Sequence, residues 1–215
     1  ANHGKNFQRD VKIIDLAKKN NADAVKLQTY TSDCMTINSQ KKDFIIRSKN
    51  IWKGKNLYSL YNEASTPFEW FSDLLSYCKE LDITCFSSVF SLKALDLMEN
   101  LSPPAYKIAS FEALDLELIK NVTKTKKPII ISIGLCNKRE IDEILDTFYK
   151  YGGKQISILR CNSAYPAIPE ESNLLTITDL IKSYNIPIGY SDHTLDSMQS
   201  IVATSLGASI IEKHF

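Results

Sequence analysis

Short apolar segments alternate with amphipathic stretches along the length of this 215-residue chain. The apolar segments predict strands, and the stretches between them, such as KREIDEILDTFYKY, carry apolar residues at the three- and four-residue spacing of a helix. The predicted strands are residues 23–30, 83–90, 105–110, 128–134, 156–163, 186–192 and 208–215. Because parallel strands need long crossover connections, usually helices, this alternation predicts an α/β fold with a parallel sheet.

The positions of the polar residues favour a barrel over an open sheet. They fall in the later half of the predicted strands or just after them: Lys26, Gln28, Ser88, Lys107, Ser110, Ser132, Asn162, Ser163, Ser191, His193, Glu212 and His214. In an open sheet the ligand groups gather mainly at one switch point, whereas in a (β/α)8 barrel every strand ends at one common mouth. Since nearly every strand contributes, the sequence favours a (β/α)8 TIM barrel with its first strand missing.

The domain organisation follows from what lies between these segments. No low-complexity tract or Pro/Gly-rich linker divides the chain, so residues 1–215 are predicted as one domain. The chain starts without methionine and stops inside a predicted strand, which indicates a piece of a longer protein. The connection of residues 31–56 is long and mostly polar, and such connections are often functional lids.

One helix start carries a well-marked sequence signature. In Thr66-Pro67-Phe68-Glu69 the threonine suits the N-cap position, the proline suits the first helical position, and the glutamate follows three residues after the cap. This pattern predicts a capping box.

Composition excludes several classes of protein. The net charge is +1, so neither a nucleic acid nor an anionic membrane is an expected partner. No apolar run approaches the ~20 residues needed to cross a bilayer. The five cysteines form no CxxC pair and are odd in number. They fit reduced thiols in a cytoplasmic protein better than a disulfide framework.

Two lysines lie inside apolar strands, where an isolated charge is expensive to bury. These are Lys26 in AVKLQ and Lys107 in AYKIA. Facing serine hydroxyls, two such cations would bind a phosphate or a carboxylate. Two alternatives stay open at this point: each lysine could extend to solvent separately, or Lys107 could be the amine of a Schiff-base aldolase.

The histidines suggest a metal site. Two of the three in the chain, His193 and His214, occupy the same place in consecutive strand units. Residues two apart on a strand share a face, so His193 lies with Ser191 and His214 with Glu212. Two imidazoles on adjacent strands could share one metal ion, although satisfied core histidines remain the alternative. His3 could join them, but nothing local supports that.

A set of longer motifs resembles the sialic acid synthase family from end to end. They include NHGKN, DAVKLQTYTSDCMTINS, LYSLYNEASTPFEW, CFSSVF, PAYKIASFE, KPIIISIG, GYSDHT and LGASIIEKHF. The resemblance implies a (β/α)8 barrel followed by an antifreeze-like domain. It also implies condensation of phosphoenolpyruvate with an amino sugar, with a divalent metal, Mn²⁺ or else Mg²⁺ or Co²⁺. The full-length protein would be a domain-swapped homodimer, and an inactive binding barrel of the same fold is the non-enzymatic alternative.

The resemblance also assigns residues. Phosphoenolpyruvate would contact Lys26, Ser88, Lys107, Ser110, Ser132, Ser163 and Ser191. The sugar would contact Gln28, Glu112 and Tyr165, and the metal would be held by His193 and His214. The catalytic residues would be Lys26, Lys107 and Glu112.

Four departures from the family pattern accompany these assignments. The family's first strand, with its acidic residue, and the antifreeze-like domain are not in the sequence. Leu135 ends a Ser132-Ile133-Gly134-Leu135 segment where the family has STGM, and Val89 replaces a proline. Phe111, next to Glu112, favours the methyl group of a 6-deoxy sugar, 2,4-diacetamido-2,4,6-trideoxy-L-altrose. The sugar precursors of N-acetylneuraminic and legionaminic acid are the alternatives.

Overall fold

A computed structural model describes residues 2–47 and 52–215 of the chain. The chain divides into two compact units, one ending at Pro104 and one spanning Ala105–Phe215. All seven predicted strands are present, each within one or two residues of its predicted start. The assignment of residues 1–215 to a single domain stays a prediction.

The first unit pairs two parallel strands, β1 (Ala24–Thr29) and β2 (Thr84–Val89). Its helices are α1 (Phe7–Lys19), α2 (Ser32–Met35), α3 (Leu57–Ala64), α4 (Phe71–Glu80) and α5 (Leu92–Leu101), with short 3₁₀ turns at Lys42–Phe44 and Phe68–Trp70. Within the predicted lid, α2 and the first of these turns are formed. Residues 48–51 of that segment lie outside the described part of the chain.

The two strands of this unit separate their polar residues between two faces. Thr29 and Ser87 share one face, where their hydroxyls are 2.7 Å apart and both residues are fully buried. Gln28 lies beside Ser88 in the parallel register, and by strand alternation these two residues share the opposite face with Lys26. The predicted common face of Lys26 and Gln28 is therefore formed.

The predicted capping box at Thr66 is wrong. The helical segment opens instead with the 3₁₀ turn Phe68–Trp70, which makes no side-chain cap hydrogen bond, and α4 follows it. The Thr66 hydroxyl lies 3.0 Å from Nε2 of His3 and is buried. The Thr66 hydroxyl, which the local pattern assigned to the helix end, therefore binds His3 instead.

The second unit is a parallel sheet whose strands pair in chain order. They are β3 (Tyr106–Ile108), β4 (Ile129–Ser132), β5 (Ile156–Cys161), β6 (Ile188–Asp192) and β7 (Ile210–Lys213). The connecting helices are α6 (Leu116–Lys124), α7 (Lys138–Lys150), α8 (Thr176–Ser183) and α9 (Met198–Ser205), with a 3₁₀ turn at Pro169–Glu171. Sheet order that follows chain order is the arrangement of a (β/α)8 barrel.

Helix α7 shows how the sequence dictates these connections. Asn137 caps its first turn and Glu140 returns the hydrogen bond, so that both partners of a capping box are in place. Ile141, Ile144 and Phe148 recur at three- and four-residue spacing and are buried. In the described part of the chain, residues 2–47 and 52–215, no helix is long and apolar enough to span a membrane.

Candidate functional site

Lys107 lies at the centre of β3 and is 1 % exposed. Its Nζ donates to Ser132 Oγ at 2.7 Å and to the carbonyl oxygen of Ile108 at 3.1 Å. Glu212 Oε1 is 3.7 Å away. A hydroxyl, a carbonyl and a carboxylate around one amine favour the ammonium form, because each is an acceptor and the carboxylate supplies the opposite charge.

Glu212 joins two of the predicted phosphoenolpyruvate ligands. The Ser191 hydroxyl donates to Glu212 Oε1 at 2.7 Å, and the same oxygen faces Lys107. The family motifs assigned Glu212 no role, although its place two residues before His214 put it on the same face of the strand. The positive charge of Lys107 is therefore balanced by the negative charge of Glu212.

Gly134 brings three chain segments close together. Its N–H donates to Ser110 Oγ at 3.1 Å. A Cβ at this position would lie 2.8 Å from both Cys161 O and Ser163 Oγ and 3.0 Å from Ser110 Oγ. Ser163 Oγ is buried and makes no hydrogen bond with the described residues. Only a glycine admits this approach of the two serines.

The ring of His193 is fixed by a main-chain carbonyl. Nδ1 lies 2.6 Å from the carbonyl oxygen of Asn162, which can only accept, so Nδ1 carries the proton. Nε2 lies 3.4 Å from Ser191 Oγ, whose own proton is donated to Glu212. The Nε2 lone pair of His193 is therefore available to a ligand.

Three rings meet beside this carbonyl. The centroids of His193 and His214 are 5.3 Å apart, and Tyr165 stacks on His193 at 4.0 Å. Tyr165 also meets His214 edge-on at 5.5 Å. The Ala167 N–H donates to the His193 carbonyl at 2.9 Å and ties the loop that carries Tyr165 to the end of β6.

The histidine pair fits a divalent metal with open coordination positions. His193 has the tautomer of a metal ligand, with Nδ1–H bound to a carbonyl and a lone pair on Nε2, as is usual for ligating histidines. Among residues 2–47 and 52–215 no group of three or more His, Cys, Asp or Glu side chains could hold an ion. The two imidazoles would be the ligands from this set of residues, and oxygen atoms of substrate or water would complete the sphere.

Glu112 has the surroundings of a binding carboxyl. Burial raises its pKa to about 7, although the positive charge of Lys107 opposes the shift. Its Oε2 is buried and has no hydrogen-bond partner in the described part of the chain. Phe111, next to it, is 67 % exposed and is free to contact a ligand.

The remaining predicted residues belong to the first unit. Lys26 and Gln28 are half-buried on β1. Ser88 on β2 is buried, and its Oγ makes no hydrogen bond with the described residues. A buried hydroxyl without a partner is costly, so Ser88 is suited to a ligand that supplies the missing bond.

His3 has a structural role in the same unit. Its Nδ1 accepts from the Lys5 N–H at 2.9 Å, so the proton lies on Nε2, which donates to Thr66 Oγ1 at 3.0 Å. Burial, with the charge of Lys5 assisting, lowers the pKa of His3 to about 4. Both ring nitrogens are thus engaged, which leaves no lone pair for a metal.

Comparisons with known proteins show the family of the chain. A model of the NeuB family matches residues 13–215. The pseudaminic acid synthase of Helicobacter pylori is 45% identical over 215 residues, which are 100% of this chain and 63% of the relative. The N,N'-diacetyllegionaminic acid synthase of Campylobacter jejuni is 31% identical over 218 residues, covering 100% of this chain and 65% of that relative.

A solved structure shows the fold. The N-acetylneuraminic acid synthetase of Leptospira borgpetersenii superimposes with a TM-score of 0.88 at 27% identity, covering 100% of this chain and 70% of that one. The predicted α/β class and barrel fold are confirmed. The chain spans less than two thirds of the length of the Helicobacter relative.

Proposed function

The chain belongs to the NeuB family, and we propose that the protein it comes from is a transferase that makes pseudaminic acid. The substrates would be phosphoenolpyruvate and 2,4-diacetamido-2,4,6-trideoxy-L-altrose, and the second product would be phosphate. The observation that carries this proposal is the 45% identity with a pseudaminic acid synthase over every residue of the chain. The lower identity of a legionaminic acid synthase, 31%, favours the altrose over its isomers.

The reaction needs groups that hold two anionic centres. The Lys107 ammonium and the hydroxyls of Ser132 and Ser191 lie within one hydrogen-bonded cluster and would bind the phosphate or the carboxylate. Ser110 and Ser163, brought together at Gly134, would extend this cluster. The family resemblance also assigns Lys26 and Ser88 to phosphoenolpyruvate. Glu112 and Tyr165, with Gln28, would bind the polar groups of the sugar.

The chemistry would proceed by carbon–carbon bond formation. C3 of phosphoenolpyruvate would attack the aldehyde carbon of the open-chain sugar with the electron pair of its C2=C3 double bond, and the aldehyde oxygen would take up a proton. Water would add at C2 and lose a proton, which gives a tetrahedral intermediate. Its C–O bond to phosphate then breaks, and the electron pair leaves with the phosphate. Lys107 would stabilise the charge that grows on the departing group.

The proposed cofactor is a divalent metal ion, Mn²⁺ in preference to Mg²⁺ or Co²⁺. When bound, the ion polarises the sugar aldehyde as a Lewis acid. His193 and His214 would hold it, and their imidazole nitrogens together with substrate oxygens suit a first-row divalent ion.

Two further properties are part of the proposal. The full-length protein would act as a domain-swapped homodimer, which rests on the family resemblance. It would work in the cytoplasm, which the five free cysteines support, because a reducing compartment keeps thiols unpaired.

The surroundings of Lys107 argue against the Schiff-base alternative. A Schiff base needs a neutral amine, whereas Nζ here donates to Ser132 and Ile108 and faces Glu212. Borohydride treatment in the presence of substrate should therefore leave Lys107 unmodified. A trapped adduct on this residue would replace the proposed mechanism by an aldolase mechanism.

The decisive experiment measures phosphate release by the full-length protein. Release should require phosphoenolpyruvate, the diacetamido altrose and a divalent metal together. Lys107→Met should abolish it, whereas Lys120→Met, which removes a half-buried lysine of α6, should leave it unchanged.

Three results would contradict parts of the proposal. A higher kcat/KM with N-acetylmannosamine would overturn the sugar assignment, and activity without metal would overturn the cofactor. An absence of heat on titration with phosphoenolpyruvate would favour a barrel that has lost catalysis.

A further inference from the structure

An ion pair lies directly behind the two histidines, on the opposite face of their strands. Asp192 is the last residue of β6 and directly precedes His193, and Lys213 is the last residue of β7 and directly precedes His214. The two residues are partners in the parallel register, and Lys213 Nζ lies 2.9 Å from Asp192 Oδ2. Each charged residue is thus one peptide away from an imidazole.

The pair belongs to a closed network around His193. Asp192 Oδ1 accepts from the N–H of Thr194 at 2.9 Å and from its hydroxyl at 2.7 Å, while Oδ2 also accepts from Ser200 Oγ at 2.6 Å. Lys213 Nζ donates in addition to the carbonyl oxygen of Thr194 at 2.8 Å. The residues before and after His193 are therefore both held by the same lysine of β7.

This arrangement fixes the position of one imidazole relative to the other strand. Lys213 holds the residues on either side of His193, and the ring of His193 is held by the Asn162 carbonyl of the segment after β5. Because Lys213 is bonded to His214 through one peptide, a shift of β6 against β7 would have to break the two hydrogen bonds of Lys213. These restraints keep the ring centroids of His193 and His214 5.3 Å apart. A metal ion shared by both rings requires that this separation be kept.

Stability is a poor explanation for the network. Asp192 is 0% exposed, although Lys213 is 32% exposed. Removing a carboxylate from water is costly, and this cost offsets much of what its ion pair contributes to stability. Four donors to one buried carboxylate orient it closely, and the group they orient is the chain on either side of His193.

We propose that Asp192 and Lys213 are positioning residues that set the separation and orientation of His193 and His214 for a shared divalent ion. The proposal rests on the metal role given to the histidines in the proposed function. It assigns to the outer face of β6 and β7 a role in metal affinity, without contact to the metal.

The test is a Mn²⁺ titration of the full-length protein, followed by the electron paramagnetic resonance signal of the free ion. Lys213→Met and Asp192→Asn should each raise the Kd for Mn²⁺ by about 10-fold, the lower end of the usual effect of residues behind metal ligands. Lys213→Arg, which can still donate to Asp192 and Thr194, should recover most of the affinity. Lys120→Met breaks an ion pair of the same 2.9 Å length, with Glu117 on α6, and should leave the Kd unchanged.

Thermal melts separate positioning from structure. If the network only stabilised the fold, Lys213→Met would lower the Tm and keep the wild-type Kd for Mn²⁺, and the inference would be overturned. Should Asp192→Asn fail to fold, the Lys213 variants decide, because that side chain is 32% exposed and its loss is better tolerated.

His193→Ala distinguishes this inference from the proposed function. If His193→Ala binds Mn²⁺ as tightly as the wild type, the histidine metal site itself is wrong and the positioning role falls with it. If His193→Ala loses the ion but folded Lys213→Met does not, the metal site stands and only the positioning role is wrong.

Discussion

His3 and His193 differ in how their ring nitrogens are hydrogen-bonded. His3, in the first unit, accepts a backbone hydrogen bond at Nδ1 and donates from Nε2 to Thr66. His193, in the second unit, donates from Nδ1 to the Asn162 carbonyl and keeps its Nε2 lone pair. The first arrangement satisfies both ring nitrogens within the protein, whereas the second satisfies one nitrogen and leaves a lone pair on the other. The partner of Nδ1 thus sets the tautomer: an N–H donor places the proton of His3 on Nε2, and a carbonyl places that of His193 on Nδ1.

The largest expected effect comes from removing each ring in the full-length protein. His193→Ala should lower kcat by ~10³-fold, about 4 kcal/mol in the barrier, because a polarising metal ion would be lost. His3→Ala should leave kcat within ~2-fold and instead lower the free energy of unfolding by about 1–3 kcal/mol, since Thr66 loses its buried partner. The assay is phosphate release beside a denaturant melt, and equal losses of kcat in both variants would break the comparison.

The pH dependence of stability sharpens the structural side of the comparison. His3 has a pKa of about 4 in the folded protein against a usual value of 6.5, so it stays neutral when folded while the unfolded chain takes up a proton. The contribution of His3 to the free energy of unfolding is therefore complete above pH 6.5. It is lost as the pH falls toward 4, by up to about 3 kcal/mol. Urea melts between pH 4 and 7 should show this loss in the wild type and a smaller one in His3→Gln. A parallel decline in both would assign the acid sensitivity to other groups.

Glu112 gives the opposite dependence, because burial leaves one of its oxygens without a partner. Its pKa of about 7 in the folded protein lies above the usual 4.5. The contribution of Glu112 to the free energy of unfolding is therefore complete below pH 4.5 and is lost as the pH rises through 7. The loss amounts to about 3 kcal/mol at most. Glu112→Gln should be free of this loss, and a bound sugar should reduce it in the wild type. If ligand-free melts of the two proteins keep a constant difference from pH 5 to 8, Glu112 is already paired in solution.

The smallest expected effect uses two adjacent serines of β2 as a matched pair. Ser87→Ala removes a hydroxyl that is 2.7 Å from Thr29 and should cost about 1 kcal/mol of stability without changing the KM for phosphoenolpyruvate. Ser88→Ala removes a buried hydroxyl that has no partner among the described residues, so stability should be unchanged or higher while the KM rises. A higher KM in Ser87→Ala and a loss of stability in Ser88→Ala would show that Ser87, and not Ser88, lies on the binding face of the strand.

Regular features of this fold were predictable from the sequence, and contacts across segments were not. Strand positions follow from apolar runs, and the common face of Ser191 and His193 follows from their spacing of two. The capping box at Thr66 failed because the local pattern cannot register a histidine 63 positions away. Glu212 was placed on the correct face but without a role, because its partner Lys107 comes from a strand four places earlier in the sheet.

The Nδ1–H of His193 is held by a main-chain oxygen, and this has a consequence for mutational tolerance. No replacement of the Asn162 side chain can delete that acceptor, since every amino acid brings the same carbonyl. The tautomer of the histidine is therefore encoded by the path of the backbone after β5 rather than by the identity of a neighbour. A substitution at position 162 would reach the ring only by redirecting the chain, and the Asn162 side chain does contribute to that path, since its Oδ1 accepts from the Ala164 N–H at 3.0 Å.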